Sequence, residues 1–401
     1  MHTPPSPLGR LALVTAIAST LAGCVELKPP SDTGGGVGGG GGSPPAEGGH
    51  GGEGSGGLGG DGGGECIDEC PADSGIKVGC KTRFMYGINY AWHHFAGDFG
   101  GIAAWGQGGV ASEEQTHAES LAAMRAHGAS VVRWWMLPEF RGEGVLFDAS
   151  EDPIGLGERT LIDVEKALEL AERADVHLMF CLFSYDAFHP TRVDAGVKIV
   201  GLQPIMADPR RRALLMENVV RPLARAVERS PYGHRMAAWD VINEPELAIT
   251  GQSPYGDPDY IPDNSVQSVT HEQMETFLND TIRVLRSESS ALVTIGSLAM
   301  KWSKAWSRTD IDFYTFHIYD WVNQYWPYNQ SPADYHVDDK PVVMGVFPIA
   351  GLATTPVPDI LASWYTQGYA GALSWAYNGA TPTELETVKS FADEKACKVK
   401  Y

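Results

Sequence analysis

The residues of this chain that could do chemistry are few and they recur at the ends of apolar runs. "WDVINEPE" ends in Asn243 and Glu244, with Glu246 two residues on, and "FHIYD" offers His317 and Tyr319. "GINYAW" carries Asn89, Tyr90 and Trp92, "VVRWW" carries Arg133, Trp134 and Trp135, and "GALSWAYN" carries Trp375, Tyr377 and Asn378. A carboxyl group can give or take a proton. Aromatic ring faces stack on the C–H faces of pyranose sugars, while arginine, asparagine and tyrosine bind hydroxyls. A set of this kind, brought together, describes a carbohydrate cleft.

The elements that must bring it together are short strands. Eight apolar runs rich in β-branched and aromatic residues, at 84–89, 130–136, 177–183, 237–242, 292–297, 312–318, 341–347 and 371–376, alternate with amphipathic stretches. Strands buried on both faces read this way. In "LIDVEKALELAERA" apolar residues at 161, 164, 168 and 171 fall on one helical face. Thr270 with Gln273 and Thr383 with Glu386 match capping boxes, and Gly128 and Gly368 stand where C-caps are expected. Helical periodicity is weak in "KWSKAWSRT" and "SPADYHVDD". The pattern predicts an α/β fold, a (β/α)8 TIM barrel over residues 83–397, because no glycine-rich phosphate loop follows the first strand as an open dinucleotide-binding sheet would require. Barrel chemistry gathers at the C-terminal strand ends, where all the residues above lie.

Taken in order on those strands, "GINYAW", "VVRWW", "WDVINEPE", "FHIYD" and "GALSWAY" resemble glycoside hydrolases of clan A, family 5 in particular. The resemblance implies a retaining β-glycanase acting on a β-1,4-mannan or glucan, with Glu244 as general acid/base and Asn243 binding the sugar 2-hydroxyl. It implies that Arg133 supports the nucleophile by charge, that His317 and Tyr319 line the reactive subsite with Tyr319 near the nucleophile, and that Trp375 is the sugar platform; Trp92, Trp134 and Asn89 are further candidates for substrate binding.

One position departs from it. The family's nucleophile is a glutamate ending strand seven in a G-E-F context, and "VVMGVFPIAG" has Val346 there. Valine cannot form a glycosyl ester, so double displacement is closed. Three readings stay open: an otherwise intact hydrolase silenced by one substitution, a pseudoenzyme that binds glycans without cleaving them, or rescue by Glu246, Glu139, Asp186 or Asp320 as base for an inverting attack. Phe183 also stands where family members often have histidine, with His189 further along the loop.

The rest of the chain bounds the setting. With 50 acidic against 30 basic residues the formal net charge is -20, which disfavours nucleic acid and anionic lipid and suits a neutral β-linked polysaccharide. Arg10 and "LALVTAIASTLA" read as an export signal over residues 1–24 whose "LAGC" resembles a bacterial lipobox, making Cys24 the lipidated residue and a lipid anchor the sole membrane attachment. Residues 25–65, glycine-rich, read as a flexible tether, and 66–82 as a cysteine-containing segment. The expected setting is the cell envelope or surface, with the protein a monomer. Among Cys66, Cys70, Cys80 and Cys397, one bridge within the cluster and one from it to Cys397 are expected, although C-x3-C spacing does not exclude metal; Cys181, inside an apolar run, reads as a buried free thiol. The histidines are scattered without metal-ligand spacing, so no metal or cofactor is implied.

Overall fold

A computed structural model describes residues 67–401; the signal, lipobox, tether and Cys66 lie outside them. Eight parallel strands close into a barrel in sequential order. They are β1 (Met85–Asn89), β2 (Val131–Trp135), β3 (His177–Ser184), β4 (Met236–Asn243), β5 (Leu292–Ser297), β6 (Tyr314–His317), β7 (Val342–Pro348) and β8 (Gly371–Trp375). Each coincides with one of the eight apolar runs, since a strand covered by helices outside and side chains inside has no polar face to break the run.

The helical layer follows the sequence less evenly. The helix Thr160–Ala174 buries Val164, Leu168 and Ala171 as its period requires, but Leu161 is exposed in its first turn. Thr270 caps His271–Glu288 with the expected reciprocal box to Gln273. The box at the last long helix is Thr381 with Glu384, not Thr383 with Glu386, because Pro382 takes the first helical position and sets the start two residues earlier. Gly128 and Gly368 have φ of 91° and 86° at helix ends, where a Cβ would be strained. The loops after β5 and β6 hold only short helical turns, Met300–Trp302, Asp320–Asn323 and Pro332–Tyr335. Their weak periodicity reflected this: tryptophans and tyrosines pack there singly rather than along a stripe.

The segment before the barrel is part of it. Ile76–Val78 and Lys81–Arg83 form a hairpin, and Ile76 packs with Met85, Val131, Met179, Ala237, Phe313, Val343 and Leu373, the apolar layer at the foot of the barrel. Arg83 Nε donates to the Lys400 carbonyl at 2.8 Å and Tyr401 OH to that of Ile76 at 3.0 Å. Ile67–Tyr401 is one compact unit. Cys70 and Cys397 are bridged, as expected for the staple between the ends. Cys80 is also disulfide-bonded, and Cys181 is a buried free thiol.

The Cys70–Cys397 bridge spans 327 residues of sequence and so restricts the unfolded chain strongly. Replacing both cysteines by serine is expected to lower unfolding stability by about 2–5 kcal/mol, read as a lower denaturant midpoint with a steeper slope, because the unbridged denatured chain exposes more surface.

Candidate active site

Two residues along from the apolar foot, period-two alternation brings Arg133 of β2, Asp240 of β4 and Thr315 of β6 to the same face of their strands. Arg133, fully buried, donates to Asp240 Oδ2 from Nε at 2.9 Å and from Nη2 at 2.6 Å, to Asn89 Oδ1 at 3.0 Å and to Asn243 Oδ1 at 3.0 Å. Its Nη2 also points at Cys181 Sγ, 3.5 Å away. Burial works against the guanidinium charge, and Asp240 beside it more than restores it. Burial and Asp240 together push the Cys181 thiol up, so it stays protonated. Gly296 makes room for this pair: its N–H donates to Asp240 Oδ1 at 2.7 Å, and a Cβ there would lie 2.8 Å from Asp240 Oδ2 and 2.9 Å from Arg133 Nη2.

Arg133 is thus committed to Asp240. It also holds Asn243, the residue before Glu244, and with Val346 on β7 there is no carboxylate at that strand end for its charge to support. Asn89 departs from the sugar-binding role expected of it. It is fully buried, and its Nδ2 lies 3.0 Å from the Gly345 carbonyl and 3.1 Å from that of Ser374 while its Oδ1 accepts from Arg133. With donor and acceptor engaged, Asn89 ties β1 to β7 and β8 and does not reach a sugar.

Glu244 stands where β4 ends. The pairing of β4 with β5 shifts register between Asp240 and Asn243, and Glu244 itself is left-handed at φ 52°, an uncommon conformation for a non-glycine residue. Its N–H donates to the Gly296 carbonyl at 2.6 Å. Glu244 is 8% exposed, and its carboxylate Oε1 accepts from His317 Nδ1 at 2.7 Å and from Tyr319 OH at 3.2 Å. An imidazole that donates from Nδ1 to a carboxylate leaves Nε2 as an acceptor when neutral, and His317 Nε2 has no partner among the described residues. Burial holds the His317 pKa below its ordinary value, against the pull of Glu244. Burial and Glu244 push the Tyr319 phenol well up.

Val346 is buried beside His317 in the β6–β7 register, its carbonyl accepting from Ile318 N–H at 3.0 Å. Tyr319, expected near the strand-seven position, donates to Glu244 at 3.2 Å; valine offers it no acceptor at 346.

Trp92, Trp135 and Trp375 pack together, with ring centroids 5.2 Å (92–135), 5.6 Å (135–375) and 6.1 Å (92–375) apart. Trp92 and Trp375 are part-exposed. Trp134 is not part of this wall. One residue out of step with Arg133 and Trp135, it points into the helical layer, and its Nε1 donates to Asp98 Oδ2 at 2.8 Å. Sequence reasoning chose the wrong neighbour; parity with Arg133, a residue that must face a partner, distinguishes Trp135. The same parity could have flagged Asp240, a lone acid in an apolar strand.

Among the acids considered for rescue, Glu139 is ion-paired to Arg141 and Arg192 and Asp320 is exposed, accepting from Ala353 N–H at 2.7 Å. Asp186 accepts from Ser184 Oγ at 2.6 Å. Burial raises its pKa to about 6, with Glu139 and Glu244 adding to the rise. His189 bonds the Asp186 carbonyl and Ser265, and Phe183 is buried in the core. Glu246 is fully buried, accepting from Ser297 Oγ at 2.5 Å, Trp306 Nε1 at 2.7 Å and Leu298 N–H at 2.9 Å; burial raises its pKa to about 7.

The native Glu246 carboxyl therefore keeps its proton to about pH 7, whereas the unfolded chain loses it near 4.5. Between those values the native state binds more protons, so this group makes stability fall as pH rises. Glu246→Gln is expected to flatten the decline in melting temperature between pH 5 and 7; an unchanged profile would show that Glu246 does not titrate there.

A buried glutamate at the β4 end of a parallel eight-stranded barrel, set beside an imidazole, a phenol and a part-exposed tryptophan wall, defines the class: a (β/α)8 barrel with a polar, aromatic-rimmed site at the C-terminal strand ends. The homologues are more particular. The chain is 25% identical over 329 residues to a mannan endo-1,4-β-mannosidase of Mytilus edulis, covering 73% of this chain and 83% of the relative, and 25% identical over 350 residues to one of Cryptopygus antarcticus, covering 76% and 83%. No protein-family model matches the chain. Solved structures agree in fold: the Mytilus edulis β-mannanase superposes with a TM-score of 0.65 at 23% identity over 80% of this chain and 94% of that one, and the Aplysia kurodai β-1,4-mannanase with 0.67 at 19% over 82% and 98%.

Proposed function

We propose that this chain is a β-1,4-mannan-binding protein with the architecture of a retaining endo-hydrolase, in which Glu244 is the acid/base and Val346 occupies the place of the lost nucleophile. The observation that carries the reading is the environment of Glu244: one carboxylate, held by His317 and Tyr319 at the mouth of the barrel, faces an aromatic wall but has buried valine at the strand-seven end. The mannanase homologues supply the substrate class. Glu244 can protonate a leaving oxygen, Asn243 can meet the sugar 2-hydroxyl, and Trp375 and Trp92 can stack on pyranose rings; Trp135 backs them. Attack on the anomeric carbon has no carboxylate on β7, so turnover is impaired.

A glycan-binding pseudoenzyme is the second reading, favoured by the burial of Val346, which leaves no unpaired polar atom at that position. In either case the N-terminal "LAGC" and glycine-rich stretch support a lipid-anchored, tethered protein at the cell envelope. The test is reducing-sugar release from mannan, glucan and xylan by the protein and by Val346→Glu, together with a binding isotherm for each glycan. Mannan binding with hydrolysis only by the variant supports the proposal; cleavage by the unaltered protein would assign the chemistry to another acid, and no binding of any glycan would overturn it.

A further inference from the structure

Histidines that the sequence scatters come together at one corner of the barrel mouth. His93 and His94 follow Trp92 in the loop after β1, and Glu113 precedes the helix Glu114–Ala126. His93 Nε2 lies 3.0 Å from Glu113 Oε2 and His94 Nε2 2.9 Å from Glu113 Oε1. One ligand atom from each of the three falls within 4.8 Å of the others. We propose that His93, His94 and Glu113 form a binding site for a divalent transition metal, zinc by preference, that clamps the loop carrying Trp92.

Three features make this more than a pair of ion pairs. Both imidazoles present Nε2 to the same carboxylate, at separations close to those between neighbouring ligands around a metal whose bonds are about 2.0–2.2 Å. The backbone behind them is fixed: Asp98 accepts from the N–H groups of His93 at 2.8 Å and His94 at 2.7 Å, and is itself held by Trp134 Nε1. The Gly108 N–H donates to Glu113 Oε1 at 3.1 Å, an orienting bond of the kind that supports metal ligands. Third, a further imidazole closes the corner. The His117 ring is 5.5 Å from that of His93 and wholly buried, with Nδ1 on Tyr90 OH at 3.1 Å and Nε2 without a partner among the described residues.

Two imidazoles and a carboxylate suit zinc, nickel or copper over magnesium or calcium, which prefer oxygen alone. Three protein ligands leave a position for water. The site does not touch Glu244; its consequence lies with Trp92, which Asn378 Nδ2 holds from the β8 side through its carbonyl at 2.7 Å. A metal would hold the same loop from the opposite flank and steady one wall of the aromatic cluster.

The test is calorimetric titration of untagged, chelator-treated protein with Zn2+, with Mg2+ as control, followed by Co2+ loading and visible absorption spectroscopy. One equivalent of zinc is expected to bind and raise the melting temperature, and Co2+ bound in its place is expected to show visible absorption that free aqueous Co2+ at the same concentration does not. Glu113→Gln and His94→Asn should each weaken binding by about 100-fold, while His234→Asn, at an exposed histidine paired with Glu172, should not change it. Melting temperatures of the metal-free variants within a degree or two of the parent would show that folding is not the cause. Absence of zinc binding at millimolar metal would overturn the proposal, as would binding that survives both substitutions or disappears equally in His234→Asn.

Discussion

Val346→Glu is expected to raise reducing-sugar release from β-mannan by about three orders of magnitude or more, the scale on which loss of a covalent nucleophile acts. The expectation follows from what surrounds the position. His317 pairs with Val346 in the β6–β7 register, and Tyr319 now donates to Glu244 at 3.2 Å. A carboxylate on β7 would compete for that phenol and would supply the second carboxyl group that double displacement requires. The change has a cost in stability, because Val346 is buried and a carboxylate must be desolvated in its place. The variant is therefore expected to melt a few degrees lower, roughly 2–4 °C, while gaining activity. Stability and activity moving in opposite directions is the signature of a site residue; a substitution that only repaired packing would raise both. Glu244→Gln in the Val346→Glu background should abolish the gain on unactivated mannan.

The second large effect lies beneath the site. Asp240→Asn leaves the fully buried Arg133 without its counter-charge, and breaking a buried pair by removing one partner costs about 3–5 kcal/mol. The melting temperature should fall by roughly 5–10 °C. Arg133→Met should cost a similar amount by stranding Asp240, whereas the double variant Arg133→Met, Asp240→Leu should be more stable than either single one, since neither charge is then left unpaired. Because Arg133 Nη2 also holds Asn243 Oδ1 at 3.0 Å, the double variant should bind manno-oligosaccharides more weakly than the parent even where its stability recovers. Full additivity of the single losses would mean that the two residues do not act as a pair.

The barrel was legible in the sequence because its strands are sandwiched between two apolar environments, and a run such as "SVVRWWM" has few other physical readings. Glu244 was singled out by the resemblance of "WDVINEPE" to a strand-four signature, and the structure places it directly after β4. Side-chain direction was harder. Trp134 and Trp135 are the same residue type one position apart, and only pairing Arg133 with Asp240 across the barrel shows which of them faces inward. The partner of Arg133 was not legible, because sequence cannot tell that a buried guanidinium on β2 meets Asp240 on β4. The corner formed by His93, His94 and Glu113 was invisible for another reason: its ligands come from a loop and from the residue before a helix about 20 positions later, a separation with no periodic signature. The loops after β5 and β6 were read as weak helices where isolated aromatic anchors do the packing.

The central claim, that position 346 is the site of a lost nucleophile opposite Glu244, is tested most directly by trapping. An activated 2-deoxy-2-fluoro-mannoside reacts with the nucleophile of a retaining enzyme and leaves a covalent glycosyl ester, because the fluorine slows its hydrolysis. Intact-mass spectrometry followed by peptide mapping should find one sugar adduct on the Val346→Glu variant, on the peptide containing position 346, and none on the unaltered protein. An adduct on the unaltered protein, for instance at Asp186, or an adduct on the variant at any other residue, would contradict the account.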